Sequence, residues 1–183
     1  MFVRIAFKIS LAILLLASSC ASPEQETASA LPVEGAGTRL LSPEELLRYV
    51  PSPPAGYLIL DTVFQLDTAT GDPISNLGLV MENPAQEQIF LNLSDYFSAQ
   101  EFFDLIAGLW QPELAFERDG SYARALDLPD RQGGWLSFDS AVQQGTMLVH
   151  AQERFVLSLR TEASPDMTDA LGWATSGWLS KLP

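Results

Sequence analysis

Between residues 57 and 161 the sequence is a succession of short β-rich apolar runs parted by turn residues, and that rhythm restricts the fold more than any other feature. The runs are 57–65, 76–81, 88–93, 114–118, 123–128, 135–138, 146–151 and 154–161. Gly71-Asp72-Pro73 and Asn83-Pro84 separate the first three. Gln152-Glu153 leaves room only for a tight turn between the last two, with Phe155, Leu157 and Leu159 facing one side. Connections this short join antiparallel neighbours, because a parallel pair needs a crossover of a dozen or more residues.

Three segments carry helix signals instead. Ser42-Pro43-Glu44-Glu45 sets a capping Ser, a Pro at the first helical position and a Glu at the third. Leu41 and Leu46 occupy the hydrophobic-staple positions, and Pro51, Pro53 and Pro54 stop the helix early. Ser98-Ala99-Gln100-Glu101 predicts a second capping box, with Phe97 and Phe102 as its staple. Phe102, Phe103, Ile106, Leu109 and Trp110 form its apolar stripe, and Pro112 closes it. Ser164-Pro165-Asp166 opens a third, with Met167, Leu171, Ala174 and Trp178 on one face and Gly172 and Gly177 weakening it. The expected fold is α+β: a mainly antiparallel sheet of about six to eight strands with N-terminal, central and C-terminal helices.

The chain is 183 residues long with 47% apolar and 18% charged residues, enough for one ordinary globular core. Residues 21–40, ASPEQETASALPVEGAGTRL, show no apolar period and read as a flexible tether with a reach of roughly 25 Å. The expected organisation is a signal segment at 1–19, a modified Cys and tether at 20–40, and a single domain at 41–183. Lys and Arg number 10 against 23 Asp and Glu, a formal net charge of −13. Such a surface is repelled by nucleic-acid phosphates and anionic lipid head groups. One Cys and one His exclude a disulfide within the chain and a zinc site built from Cys and His.

Arg4 and Lys8 precede a short apolar run from residue 9 to 17, far below the roughly 20 residues of a membrane-spanning helix. The run ends in Ala17-Ser18-Ser19-Cys20. Small residues before a lone Cys resemble the lipobox of bacterial lipoproteins, although Ala17 stands where Leu is commoner. The resemblance implies lipid attachment at Cys20, cleavage just before it, and acylation of the new N-terminus. Cleavage there would remove Arg4 and Lys8 and make the chain two charges more negative. Ala21 lacks the Asp that resembles an inner-membrane retention signal, so the expected place is the outer membrane, facing the periplasm. The pattern of the remaining chain also looks like small bacterial envelope domains and, more distantly, the Mog1/PsbP sheet-and-helix fold. That resemblance implies a fold and no activity.

Residues that could carry chemistry are few. His150 sits in a strand-like run, opposite Met147, Val149 and Ala151, with no nucleophile elbow anywhere in the chain. Asp67-Thr68-Ala69-Thr70-Gly71-Asp72 and Asp127-Leu128-Pro129-Asp130 are acidic, but turn geometry explains them without a metal. Gly133-Gly134 precedes a strand rather than a helix, so it reads as a hairpin turn and not a phosphate loop. Trp110 and Trp178 fall on apolar stripes and read as core. Trp173 falls on the other face of a regular helix, beside Ala170 and Gly177, and is the candidate partner contact.

These observations lead to an expectation of a membrane-anchored, non-enzymatic envelope lipoprotein that binds a protein partner or an apolar ligand. No cofactor, no metal, no catalytic residue and no nucleic-acid partner are expected. The alternatives are an accessory subunit of a membrane complex and a small carboxylate-based hydrolase.

Overall fold

A computed structural model of the chain describes residues 36–50, 52–69, 71–126, 128, 132–162 and 181–182. The eight β-rich runs become eight strands: β1 (Leu58–Asp67), β2 (Ile74–Glu82), β3 (Gln88–Asp95), β4 (Phe116–Arg118), β5 (Ser121–Ala125), β6 (Gln132–Asp139), β7 (Gln144–Ala151) and β8 (Phe155–Glu162). They form one fully antiparallel sheet in the order β1-β2-β3-β8-β7-β6-β5-β4. Two meanders, β1–β3 and β4–β8, meet where β3 pairs with β8. Both meeting strands lie inside the sheet, and five of the eight residues of each are buried.

Turn chemistry explains the hairpins. Gln152 and Glu153 both take positive φ, and the Arg154 amide donates to the Ala151 carbonyl at 3.2 Å, the tight turn expected there. Asp119 and Gly120 do the same between β4 and β5. Between β2 and β3 the Asn83 Oδ1 accepts from the amides of Ala85 and Glu87, both at 3.0 Å, and folds that loop on itself.

Alternation along the central strands builds the main core on one face. Leu77, Leu79, Leu91, Leu93, Met147, Val149, Leu157 and Leu159 are all buried there, together with Leu41, Leu46 and Tyr49 from the N-terminal segment. Ser42 begins the single-turn helix α1 (Pro43–Leu46) with a complete capping box. Leu41 and Leu46, the staple pair, are fully buried. A smaller cluster lies on the opposite face, where Phe103 of helix α2 (Gln100–Ala107) meets Ile74, Tyr96 and Val156.

Among the described residues the helices are short. α1 is one turn and α2 has 8 residues. The expected C-terminal helix, with Trp173 and Trp178, lies outside the described residues. α2 also starts later than expected: its N-cap is Ala99, with no side-chain hydrogen bond, and Ser98 stands in the turn before it. The reason is Asp95, whose Oδ1 accepts from the Phe97 amide at 3.0 Å, while the Ala99 amide donates to the Tyr96 carbonyl at 2.9 Å. That turn is tighter than a capping box and takes its place. Phe97 then lies over Arg154, at 4.6 Å, instead of completing a staple with Phe102. The run at 114–118 divides into a 3-10 turn, Pro112–Leu114, and the short β4.

Gly133 and Gly134 do not form a turn. They lie inside β6, opposite His150 and Val149. A Cβ on Gly133 would stand 2.5 Å from His150 Nε2, and one on Gly134 would stand 2.3 Å from the Leu148 carbonyl oxygen. The two glycines therefore let β6 approach β7 closely, a use of Gly that sequence punctuation does not separate from a turn.

Candidate functional site

β1 combines apolar sequence with exposure. Among the described residues it ends the sheet, with β2 on one side and no strand on the other. Leu58, Leu60, Val63 and Leu66 are each more than half exposed, and Ile59 and Phe64 more than two-fifths. By register, Ile59, Thr62, Phe64 and Leu66 share the face of Leu77 and Leu79, and Asp61, Val63 and Gln65 the other. Among the described residues, apolar side chains on both faces of the strand are therefore largely exposed.

The local sequence explains how it is presented. The Tyr57 amide donates to the Pro54 carbonyl at 2.9 Å, and Gly56 takes positive φ, so a tight turn delivers the chain into the sheet. An open groove of about 650 Å³ follows this turn, lined by Pro53, Pro54, Tyr57 and Leu58 among others, and runs into the start of β1. A bulge between Ile59 and Asp61 adds one residue, Leu60, to the edge. From Asp61 to Asp67 the pairing with β2 is regular. The carboxylates of this strand turn inward on the chain: Asp61 Oδ1 accepts from the Thr62 amide at 2.8 Å, and Asp67 Oδ1 from the Ala69 amide at 2.9 Å. Long apolar edges are unusual, because an open row of backbone donors and acceptors beside apolar side chains recruits another strand.

A second feature is a buried ion pair that the sequence did not signal. Asp95, at the end of β3, is fully buried. Arg154, just before β8, gives it two bonds of 2.6 Å, Nε to Oδ1 and Nη2 to Oδ2. The same carboxylate accepts from the amides of Leu41, at 2.8 Å, and Phe97. Arg154 Nη2 also donates to the Arg39 carbonyl at 2.6 Å. The pair thus fastens the N-terminal segment to the sheet from Arg39 onward. These partners tie the carboxylate into the fold, where it is buried away from solvent.

Arg39 in turn clamps Glu45 by two short bonds, 2.7 and 2.6 Å. With the Ser42 amide, that clamp holds the Glu45 carboxyl well below its ordinary range, at about 2. This too is helix capping and not chemistry.

His150 is half-buried, with its ring edge-on to Phe103 of α2 at 5.9 Å. Burial between helix and sheet pushes its pKa down, disfavouring the charged ring. Nearby, Trp135 stacks on Trp110 at 6.1 Å, and its buried Nε1 has no hydrogen-bond partner among the described residues. Among the described residues no group of three or more His, Cys, Asp or Glu side chains is placed to hold a metal ion, and none of the helices is long and apolar enough to cross a membrane. Cys20 and Trp173, the two candidate site residues of the sequence reading, lie outside the described residues.

The chain matches no family of known proteins and none of the curated proteins. Among solved structures it is similar to the extracellular domain of PknH from Mycobacterium tuberculosis, with 11% identity, a TM-score of 0.46, and 84% of this chain and 98% of that one covered. It is also similar to a GTP-binding regulator from Thermotoga maritima, with 11% identity, a TM-score of 0.42, and 71% of this chain and 81% of that one covered. Neither likeness bears on function.

Proposed function

We propose that this chain is a lipid-anchored, non-enzymatic binding module of the bacterial envelope that engages protein through the β1 edge. The observation that carries the proposal is β1 itself, an edge strand of ten residues with apolar side chains exposed on both faces. Strand addition to such an edge supplies affinity through backbone hydrogen bonds and selectivity through alternate side chains. An open edge accommodates another chain better than a small apolar ligand, which needs an enclosed cavity. The small residues before Cys20 support anchoring by its lipid, on the outer membrane facing the periplasm. The acidic tally supports a domain held away from anionic lipid except at its tether. Trp173, beside small residues, stands as an auxiliary contact.

The test is photo-crosslinking in intact cells, with a photoreactive residue at Leu60 and, separately, at Val142. Both side chains are well exposed, at 56% and 65%, but Val142 lies in the turn between β6 and β7, away from β1. Protein adducts at Leu60 and none at Val142 are expected. Equal labelling at both sites, or none at Leu60, overturns the reading.

A further inference from the structure

We infer that the occupant of the β1 edge is a second copy of this chain, paired antiparallel about Val63; this rests on the reading of β1 as a binding strand. The argument begins with the residues. In an antiparallel pair, opposite residues share a face, so a two-fold pairing centred on Val63 sets Val63 against itself, Thr62 against Phe64, and Asp61 against Gln65. The bulged Leu60 then comes up against Leu66. Val63 meets its own copy and Leu60 meets Leu66, while the Gln65 amide of each copy reaches the Asp61 carboxylate of the other. Shifting the centre to Phe64 would oppose Asp61 to Asp67, a like-charge pair, and is disfavoured. Of these two registers, the one centred on Val63 is favoured.

Edge-to-edge pairing would cover the outward sides of the exposed apolar side chains of β1 together with its open row of backbone donors and acceptors. Two sheets would join into one, and the open edge that β1 presents would disappear. At the other end of the sheet β4 has only 3 residues, too few to compete.

The charge makes a distinguishing prediction. Two copies of an acidic chain repel, so added salt should tighten the pair, whereas a basic partner would be released by it.

The experiment uses the full chain extracted in mild detergent. Val63→Cys is expected to form a disulfide-linked dimer on mild oxidation, because opposed Cα atoms in an antiparallel pair lie within disulfide range. Val142→Cys is expected to remain monomeric under the same conditions. By light scattering, the unmodified chain should be dimeric at tens of micromolar, and more so at 0.5 M than at 0.05 M NaCl. Leu60→Lys, at an exposed position, should reduce the dimer fraction at least tenfold without changing the circular dichroism. A monomeric unmodified chain, or equal crosslinking of the two cysteine variants, overturns self-association. If crosslinking at Leu60 in cells yields a different protein, self-association fails while the binding-edge reading stands. If Leu60 yields no adduct at all, both fail.

Discussion

Arg154→Met should be the most damaging single substitution outside the apolar core. Met keeps much of the side-chain stem but removes the guanidinium, and with it both bonds to Asp95 and the bond to the Arg39 carbonyl. The contacts of the guanidinium over Phe97 and Phe155, at 4.6 and 4.7 Å, are lost as well. The larger effect falls on Asp95. Its carboxylate is fully buried and, among the described residues, would retain the amides of Leu41 and Phe97 as its donors. Removing one partner of a buried pair leaves an uncompensated charge and costs about 3–5 kcal/mol. That is a large share of the roughly 5–15 kcal/mol that stabilises an ordinary domain. Urea unfolding followed by tryptophan fluorescence reads the loss directly. A double variant, Asp95→Asn with Arg154→Met, should recover part of it, because no charge is left stranded. A loss below about 1 kcal/mol for Arg154→Met, the scale of a surface pair, would refute the reasoning.

Gly133→Ala should destabilise by about 1–3 kcal/mol through collision with the His150 ring, and the double variant with His150→Ala should relieve it, as chemical denaturation would show. Gly134→Ala should not be relieved by the same partner, since its obstacle is the Leu148 carbonyl. The lowered pKa of His150 means that the unfolded chain takes up its proton first; stability should fall as pH drops through the unfolded pKa of about 6.5 toward the lower folded value. NMR titration of this lone histidine checks the direction, and a folded pKa above the unfolded one would contradict it. Cys20→Ser should leave the chain uncleaved or free of lipid, read by mobility and detergent partitioning; unchanged processing and partitioning would exclude the lipobox.

Strand positions were legible because each run has its own turn chemistry. The Gln152-Glu153 turn, the capping box at Ser42 and the burial of Leu41 and Leu46 follow from neighbours within a few residues. The misreadings have different causes. Ser98 is an acceptable cap in isolation, but Asp95 claims the local amides first. Gly133-Gly134 resembles a turn until His150 and Leu148 are set against it. Asp95 and Arg154 stand 59 positions apart, and no local pattern announces their pairing. β1 is the most instructive case. Its Leu58-Ile59-Leu60 run lacks alternation, which ordinarily marks a strand covered on both faces. Its place at the edge follows from the pairing of β3 with β8, a long-range choice that local periodicity does not encode.

Amide hydrogen exchange along β1 tests the central claim most directly. The strand already pairs with β2, so about half of its amides, those pointing away from β2, should exchange rapidly in dilute monomer. On raising the concentration into the associated range, those amides between Asp61 and Gln65 should gain at least tenfold protection, while the amides of β4, at the other end of the sheet, remain unchanged. Association without added protection in β1, or with protection gained at β4 instead, would contradict the account.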